Sequence, residues 1–302
     1  MTAALPPSAI GQAERAPVTR PRRRVGPLLL LPAPLGWMAF FYLLPLLILL
    51  LHAFWSLDYL TIQRTFTLDN FRTFAASELY GRVLLRTVLM AAAVTVTDAV
   101  LAFPVAFFLA KRVRRHRDLL LVLVIFPLWA SYLVRIFAWK TILGTSGLLN
   151  SFLLWSGVVE EPVSAFLYSK TAMFIAFSQV WLPFMILPLY TVLERLPNSL
   201  LEAAADLGGN GWQTFRRIVL PLSLPGLLAG SLSVFSLTLG DYITPTLLGG
   251  PSDQLIGRLV ADQFGMSNNW PMGATLIIPI LLIVSAGIAL AGRYGALRRT
   301  AA

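Results

Sequence analysis

Residues 199–221 read Ser-Leu-Leu-Glu-Ala-Ala-Ala-Asp-Leu-Gly-Gly-Asn-Gly-Trp-Gln-Thr-Phe-Arg-Arg-Ile-Val-Leu-Pro. The first nine are good helix formers. Leu200, Ala203, Ala204 and Leu207 recur at the 3,4 spacing of one helical face, and Glu202 and Asp206 stand four apart on another. Asn198, just after Leu196-Pro197, is placed to cap this helix by accepting from an early backbone amide. Gly208-Gly209-Asn210-Gly211 breaks the helix and permits positive φ. A second helix resumes over residues 212–220, and Pro221 is expected to end or bend it.

This polar unit lies between long apolar runs. No Asp, Glu, Lys or Arg occurs in residues 25–57, 119–134, 171–193, 218–240 or 263–292, and residues 87–110 hold only Asp98. A helix crossing hydrocarbon needs about 20 apolar residues. The windows predict six spans, near 27–54, 87–110, 119–141, 171–193, 219–242 and 272–292. Helices are the default because each satisfies its own backbone in lipid, and the alternating segments of a membrane barrel are missing. Composition agrees: hydrophobic residues make up 57% of the chain and charged ones 13%, with a mean hydropathy of +0.74. An ordinary soluble domain carries about 25% charged residues. The expected fold is an all-α membrane protein.

Lysine and arginine set the orientation. Sixteen of the 24 fall in the amino-terminal tail, the second-to-third and fourth-to-fifth connections and the carboxyl tail; six lie in the opposite connections. The bias predicts both termini in the cytoplasm. Residues 1–24 read as a disordered basic tail, 25–295 as one membrane domain with a cytoplasmic loop at 196–218, and 296–302 as a second cytoplasmic tail. The net charge of +10 sorts loops and touches anionic headgroups of membrane lipid; no basic face belongs to a soluble nucleic-acid module. The Arg22-Arg23-Arg24 run precedes an apolar stretch too long for a signal peptide, so that stretch reads as a retained first span. There is no cysteine, and His52 and His116 have no ligand spacing, so no metal site is expected. Prolines at 32, 34, 45, 104, 127, 183 and 188 fall inside predicted spans and are expected to kink them.

The intervals Glu202-Ala203-Ala204, three residues, Gly208, nine residues, Ile218, one residue, Leu220-Pro221 resemble the EAA signature of permease subunits of binding-protein-dependent ABC importers. The resemblance covers about residues 27–292. It implies a type I importer permease fold of six spans in the cytoplasmic (inner) membrane of a prokaryote. It also implies that Leu200, Glu202, Ala203, Ala204, Asp206, Leu207, Gly208, Ile218, Leu220 and Pro221 couple the spans to an ABC ATPase dimer. The small alanine face and glycine turn would seat in a cleft of that ATPase. ATP and Mg would be bound there; this chain has no Gly-x-x-x-x-Gly-Lys-Ser/Thr and is expected to bind no cofactor and to be no enzyme. The remaining implied partners are a second permease subunit, giving a heterodimer or homodimer, and an extracytoplasmic substrate-binding protein.

Pro127, Trp129, Arg135, Trp139, Gly147 and Asn150, with Leu182-Pro183-Phe184, Pro188-Leu189-Tyr190 and Trp270-Pro271-Met272-Gly273-Ala274, look like the spermidine/putrescine branch. Permeases for opines and aminoethylphosphonate share much of this pattern. A charge within a span usually faces a cavity or a partner, and Asp98, Arg135, Lys140 and Asp241 are such charges. Asp241, beside Tyr242, suits an ammonium group by charge and cation–π attraction, or else forms a salt bridge to Arg135 or to a partner subunit. Asp98 either serves a polyamine path or pairs with a neighbouring helix. Arg135 and Lys140 read as gate or structural charges; facing the pathway, they would favour an anionic or zwitterionic substrate. Trp129, Tyr132 and Trp181 line the pathway or belong to an interfacial aromatic belt. An ion-coupled secondary transporter would need coupling-ion residues and usually a repeated half, and an intramembrane enzyme a nucleophile or metal set. Neither pattern is evident, and a purely structural membrane subunit is the remaining rival.

Overall fold

The computed structural model describes residues 31–59, 61–113 and 115–299. The basic tail predicted at 1–24, the start of the first predicted span and residues 300–302 lie outside them. The chain divides into two units, with the boundary between Ile48 and Leu49. Helix α1 (Pro32–His52) opens on Pro32 and carries a five-residue wide turn at Ala39–Leu43.

The second unit begins with a short antiparallel hairpin, β1 (Ser56–Asp58) and β2 (Thr61–Gln63), registering Leu57 against Ile62. Next come α2 (Asp69–Ala76), α3 (Glu78–Lys111), α4 (Arg117–Ile125), α5 (Tyr132–Leu143) and α6 (Leu148–Trp155). The chain continues through α7 (Lys170–Arg195), α8 (Asn198–Asp206), α9 (Gly211–Gly240), α10 (Ile243–Leu248), α11 (Ile256–Phe264) and α12 (Trp270–Arg299).

Among the described residues five helices are long and apolar enough to cross a membrane: α1, α3, α7, α9 and α12. The sixth predicted span is not one rod. Residues 117–155 form two helical segments, Arg117–Trp129 and Tyr132–Trp155, bent by 87°. α4 has nine residues, about 14 Å at the helical rise, less than half the hydrocarbon thickness. A 3₁₀ turn runs over Phe126–Trp129 with Pro127 in its second position, and Ala130 is extended, so the α path stops there. The continuous span expected at 119–141 is therefore corrected to a broken one; hydropathy reports composition and is blind to the break. α3 is also longer than the predicted 87–110, because its first turns carry Glu78, Arg82 and Arg86, which an apolar window rejects.

α7 is the centre of the second unit. Met173, Phe177, Val180, Met185, Leu189 and Leu193 are all buried along it. α3 lays a row of mostly small buried residues, Ala91, Val94, Asp98, Ala102 and Ala106, at 3,4 spacing against this core. α9 approaches through Gly226 and Gly230, a small-xxx-small pair. A Cβ at Gly226 would stand 2.7 Å from the Pro188 carbonyl oxygen, and one at Gly230 3.1 Å from the Met185 Cα. The two backbones touch there with no room for a side chain.

Proline acts differently from a simple kink. α3 and α7 run on through Pro104, Pro183 and Pro188. Two prolines follow wide turns. Leu44 N–H reaches the Ala39 carbonyl just before Pro45, and Leu220 N–H reaches the Phe215 carbonyl just before Pro221. Each i→i+5 turn shifts the ladder where the proline withholds its donor, so the helix continues. Pro221 does not end its helix, as the sequence had left open.

Candidate functional site

Two groups of predicted residues occupy different parts of the molecule. The first is the 196–221 segment. Leu196 is buried and leaves the helix in an extended conformation; Pro197 precedes α8. The expected Asn198 cap is corrected: Asn198 is already the first helical residue, and no side chain caps the turn. At the other end the glycine expectation holds. Gly208 has φ +76°, and the amides of Leu207, Gly208 and Gly209 return to the carbonyls of Ala203, Ala205 and Ala204. This closes α8 as helices commonly close, with glycine in the left-handed region.

Asn210 starts the next helix with a reciprocal cap. Its Oδ1 accepts from Gln213 N at 2.8 Å, and Gln213 Oε1 accepts from Asn210 N at 3.1 Å. The Asn-x-x-Gln spacing is the local sequence signal for this cap, and it sits among glycines that by themselves indicate only a turn. Phe215 then packs edge-on against Phe103 of α3, 5.1 Å between centroids, tying the segment to the span.

α8 turns Leu201 inward and leaves Ala204 half-buried. Leu200, Glu202, Ala203 and Asp206 are exposed, and Leu207 is 89% exposed. The predicted stripe is thus mostly on the outer side, an apolar strip flanked by two carboxylates. Ile218, Leu220 and Pro221 are half-buried in the wide turn and the following helix, apart from that strip. They position the segment and do not share its exposed face.

The second group forms where α9 breaks. Asp241 is 9% exposed and follows the last residue of α9. Its Oδ1 accepts from Ile243 N at 3.3 Å and its Oδ2 from Thr244 N at 3.0 Å, so both oxygens hold the first turn of α10. Tyr132, at the start of α5 just past the chain break, shares a 2.6 Å hydrogen bond between its hydroxyl and that of Thr244. Trp181 of α7 stacks on Tyr132 at 5.2 Å and 18°, and Phe184 meets Trp181 at 5.8 Å. The Arg135 guanidinium lies 5.8 Å from the Tyr132 ring centre and donates to the Val180 carbonyl at 3.3 Å. The break in the third span is what delivers Tyr132 and Arg135 to this place.

Tyr132, Trp181, Arg135 and Asp241 therefore come together. Among the described residues no ion pair joins Arg135 to Asp241; backbone amides hold the carboxylate and a carbonyl and an aromatic face hold the guanidinium. Tyr242 points away from burial and is half-exposed. Trp129 is 75% exposed, in contact with Phe126, outside the cluster. Lys140 lies 5.8 Å from the Tyr168 ring centre. Asp98 is fully buried in the α3–α7 contact, where the Ser178 hydroxyl of α7 is the polar group beside its carboxylate. Among the described residues no ion pair includes Asp98; the group that meets it from the neighbouring helix is Ser178.

Thr87 and Gly257 emerge only from the fold, and Asn150, already part of the sequence pattern, gains its role there. Thr87 of α3 accepts from Ile256 N at 2.9 Å and donates to Val83 O, fastening α11 across 169 residues of chain. Gly257 sits so close to the break that a Cβ would stand 2.3 Å from the Asp241 carbonyl oxygen. Asn150 is fully buried and bonds Gly144 O and both backbone groups of Val163, closing the loop after α6.

The family model of the binding-protein-dependent transport system inner membrane component matches residues 102–299, about two thirds of the chain. The chain belongs to this family. It is a multi-span inner-membrane permease of an ABC importer. It is 41% identical over 286 residues to the inner membrane ABC transporter permease protein YdcU of Escherichia coli, covering 90% of each. It is 40% identical over 250 residues to the spermidine/putrescine transport system permease protein PotB of Escherichia coli, covering 82% of this chain and 90% of that one. A putative 2-aminoethylphosphonate permease protein, PhnU of Salmonella typhimurium, is 27% identical over 84% of this chain and 90% of its own. The fold matches a crystal structure of a bacterial ABC transporter involved in alginate import, with a TM-score of 0.67 at 18% identity, over 88% of this chain and 94% of that one. The match supports the type I permease fold expected for the family.

Proposed function

We propose that this permease carries a small organic ammonium compound, spermidine or putrescine, driven by ATP hydrolysis in a separate ATPase dimer. The observation that carries the reading is the cluster at the α9 break: an almost buried carboxylate, Asp241, beside the stacked rings of Tyr132 and Trp181. An ammonium group gains from a carboxylate by charge and from aromatic faces by cation–π attraction. The 40% identity to PotB over most of both chains points to the same substrate class. Asp241 belongs to the hinge between α9 and α10, so a cation bound there would bias how that hinge is set.

The α8 strip, with Leu207 and Ala203 outward and Gly208 closing it, is the proposed ATPase contact. ATP-driven closure of the ATPases would push α8; α8 is joined to α9 by the turn that Asn210 and Gln213 cap, and α9 is tied to α3 by the Phe215–Phe103 contact. A ligand shifts the two arrangements only as far as it binds one better. A second permease and an extracytoplasmic binding protein would complete the assembly.

Arg135 beside the same cluster, with the likeness to PhnU, favours an anionic or zwitterionic amino compound as the second reading. Proteoliposomes holding the full transporter decide between them. ATP-dependent uptake of labelled spermidine, competed by putrescine and not by 2-aminoethylphosphonate, is expected; the reverse competition pattern sinks the polyamine assignment.

A further inference from the structure

The α3–α4 connection and the end of α7 enclose a recess of about 450 Å³. Lys111, Arg117, Glu194, Arg195 and Asn198 line it. Arg117 is already engaged: its guanidinium donates to the Glu194 carboxylate and the Tyr190 hydroxyl and lies over the Tyr190 ring. Lys111 donates to the Leu196 carbonyl, a neutral partner. Arg195 forms no ion pair among the described residues. Two positive charges of the recess are thus without a counter-charge, and the third is matched by Glu194. Asn198 opens α8 on the same wall, in a turn that no side chain caps.

We propose that this recess binds a phosphate group. Two uncompensated cations supply charge, and the forked N–H donors of Arg195 match phosphate oxygens as a pair. The source is either the headgroup of an acidic phospholipid or inorganic phosphate. Basic pockets between membrane helices on the inner side commonly hold anionic headgroups. The recess adjoins Leu196 and Pro197, the joint between α7 and α8, so an occupant holds the end of the span against the start of the coupling segment. A membrane lipid there would act as a fixed anchor while α8 moves.

The test is native mass spectrometry of the full purified chain in neutral detergent. One arm adds phosphatidylglycerol or phosphatidylcholine at equal concentration; the other adds inorganic phosphate. The expected result is a single adduct, with phosphatidylglycerol retained at least fivefold over phosphatidylcholine if the source is lipid, or a phosphate adduct alone if it is the free ion. Arg195→Gln should cut retention about fivefold, and Arg195→Lys should restore part of it. Arg217→Gln, which removes an exposed charge outside the recess, should leave retention unchanged. Arg195 is exposed and forms no ion pair among the described residues, so an unchanged melting temperature for Arg195→Gln shows that folding is not the cause. Equal retention of both lipids with no phosphate adduct overturns the proposal. So does equal loss in the Arg195 and Arg217 variants, or intact retention in Arg195→Gln with loss of ATPase co-purification, which would assign the recess to a protein carboxylate.

Discussion

Asp241 holds the start of α10 and, on the proposed function, would also meet the substrate's ammonium group. Its two oxygens each accept one backbone amide of α10. Asparagine keeps one acceptor and leaves the other amide facing an NH₂ group. An unsatisfied buried donor costs about 1–3 kcal/mol. Asp241→Asn should therefore lower spermidine uptake at least tenfold, from both the weakened hinge and the lost charge; uptake kinetics in proteoliposomes check it. Asp98 predicts the opposite behaviour. Its carboxylate is fully buried with the neutral Ser178 hydroxyl beside it, away from the Tyr132 cluster's hydrogen bonds. The amide isostere fills the same space, so Asp98→Asn should retain uptake within about twofold, whereas Asp98→Lys should prevent assembly because an unpaired, longer charge cannot be accommodated between α3 and α7. A large uptake loss in Asp98→Asn with normal expression would return Asp98 to the pathway. Both aspartates read alike in the sequence, each a lone acid near an apolar run. Their difference is whether backbone amides converge on the carboxylate, which no spacing reveals.

At the scale of elements, the α8 turn and the α7–α9 crossing make separable predictions. Gly208 has φ +76°, where a β-branched side chain is strained by about 1–3 kcal/mol. Gly208→Val should misdirect α8, abolish uptake and weaken ATPase co-purification while membrane insertion stays intact. Glu202→Lys, on the exposed face, should act on docking alone. The chain has no cysteine, so Leu207→Cys places a single thiol on the proposed contact. Its maleimide labelling should fall several-fold when the ATPase is bound; equal labelling with and without ATPase would remove α8 from the interface. The crossing behaves differently. Gly230→Leu forces a side chain into the Met185 backbone, and overpacking of this kind costs about 1–3 kcal/mol or more. It should lower the melting temperature of the detergent-purified chain more than Gly208→Val does, because nothing lies within 4 Å of a Cβ at Gly208 and the exposed α8 can shift to relieve the strain. The helix, the glycine turn and the apolar strip of α8 were legible because each is a local property of neighbouring residues. The Asn210 cap was equally local and was obscured by flanking glycines.

For the whole molecule, composition and charge already settle the class. Uncharged runs of helical length leave the membrane as the only solvent for this chain, because soluble folding would strand them in water. The spacing from Glu202 to Pro221 carried the family resemblance for the same reason: a turn and two helices of set length need particular residues at set intervals. What tertiary structure alone decided is where the rods break and which distant groups then meet. The third apolar run is bent by 87°, although its hydropathy matches that of a straight span. That bend brings Tyr132 to Thr244, 112 residues away, and lets Trp181 stack between distant helices. Hydropathy sums transfer energies one residue at a time, so it finds the helices that lipid stabilises. Contacts between helices depend on close approach at positions such as Gly226, Gly230 and Gly257, and that distance exists only once the chain has packed.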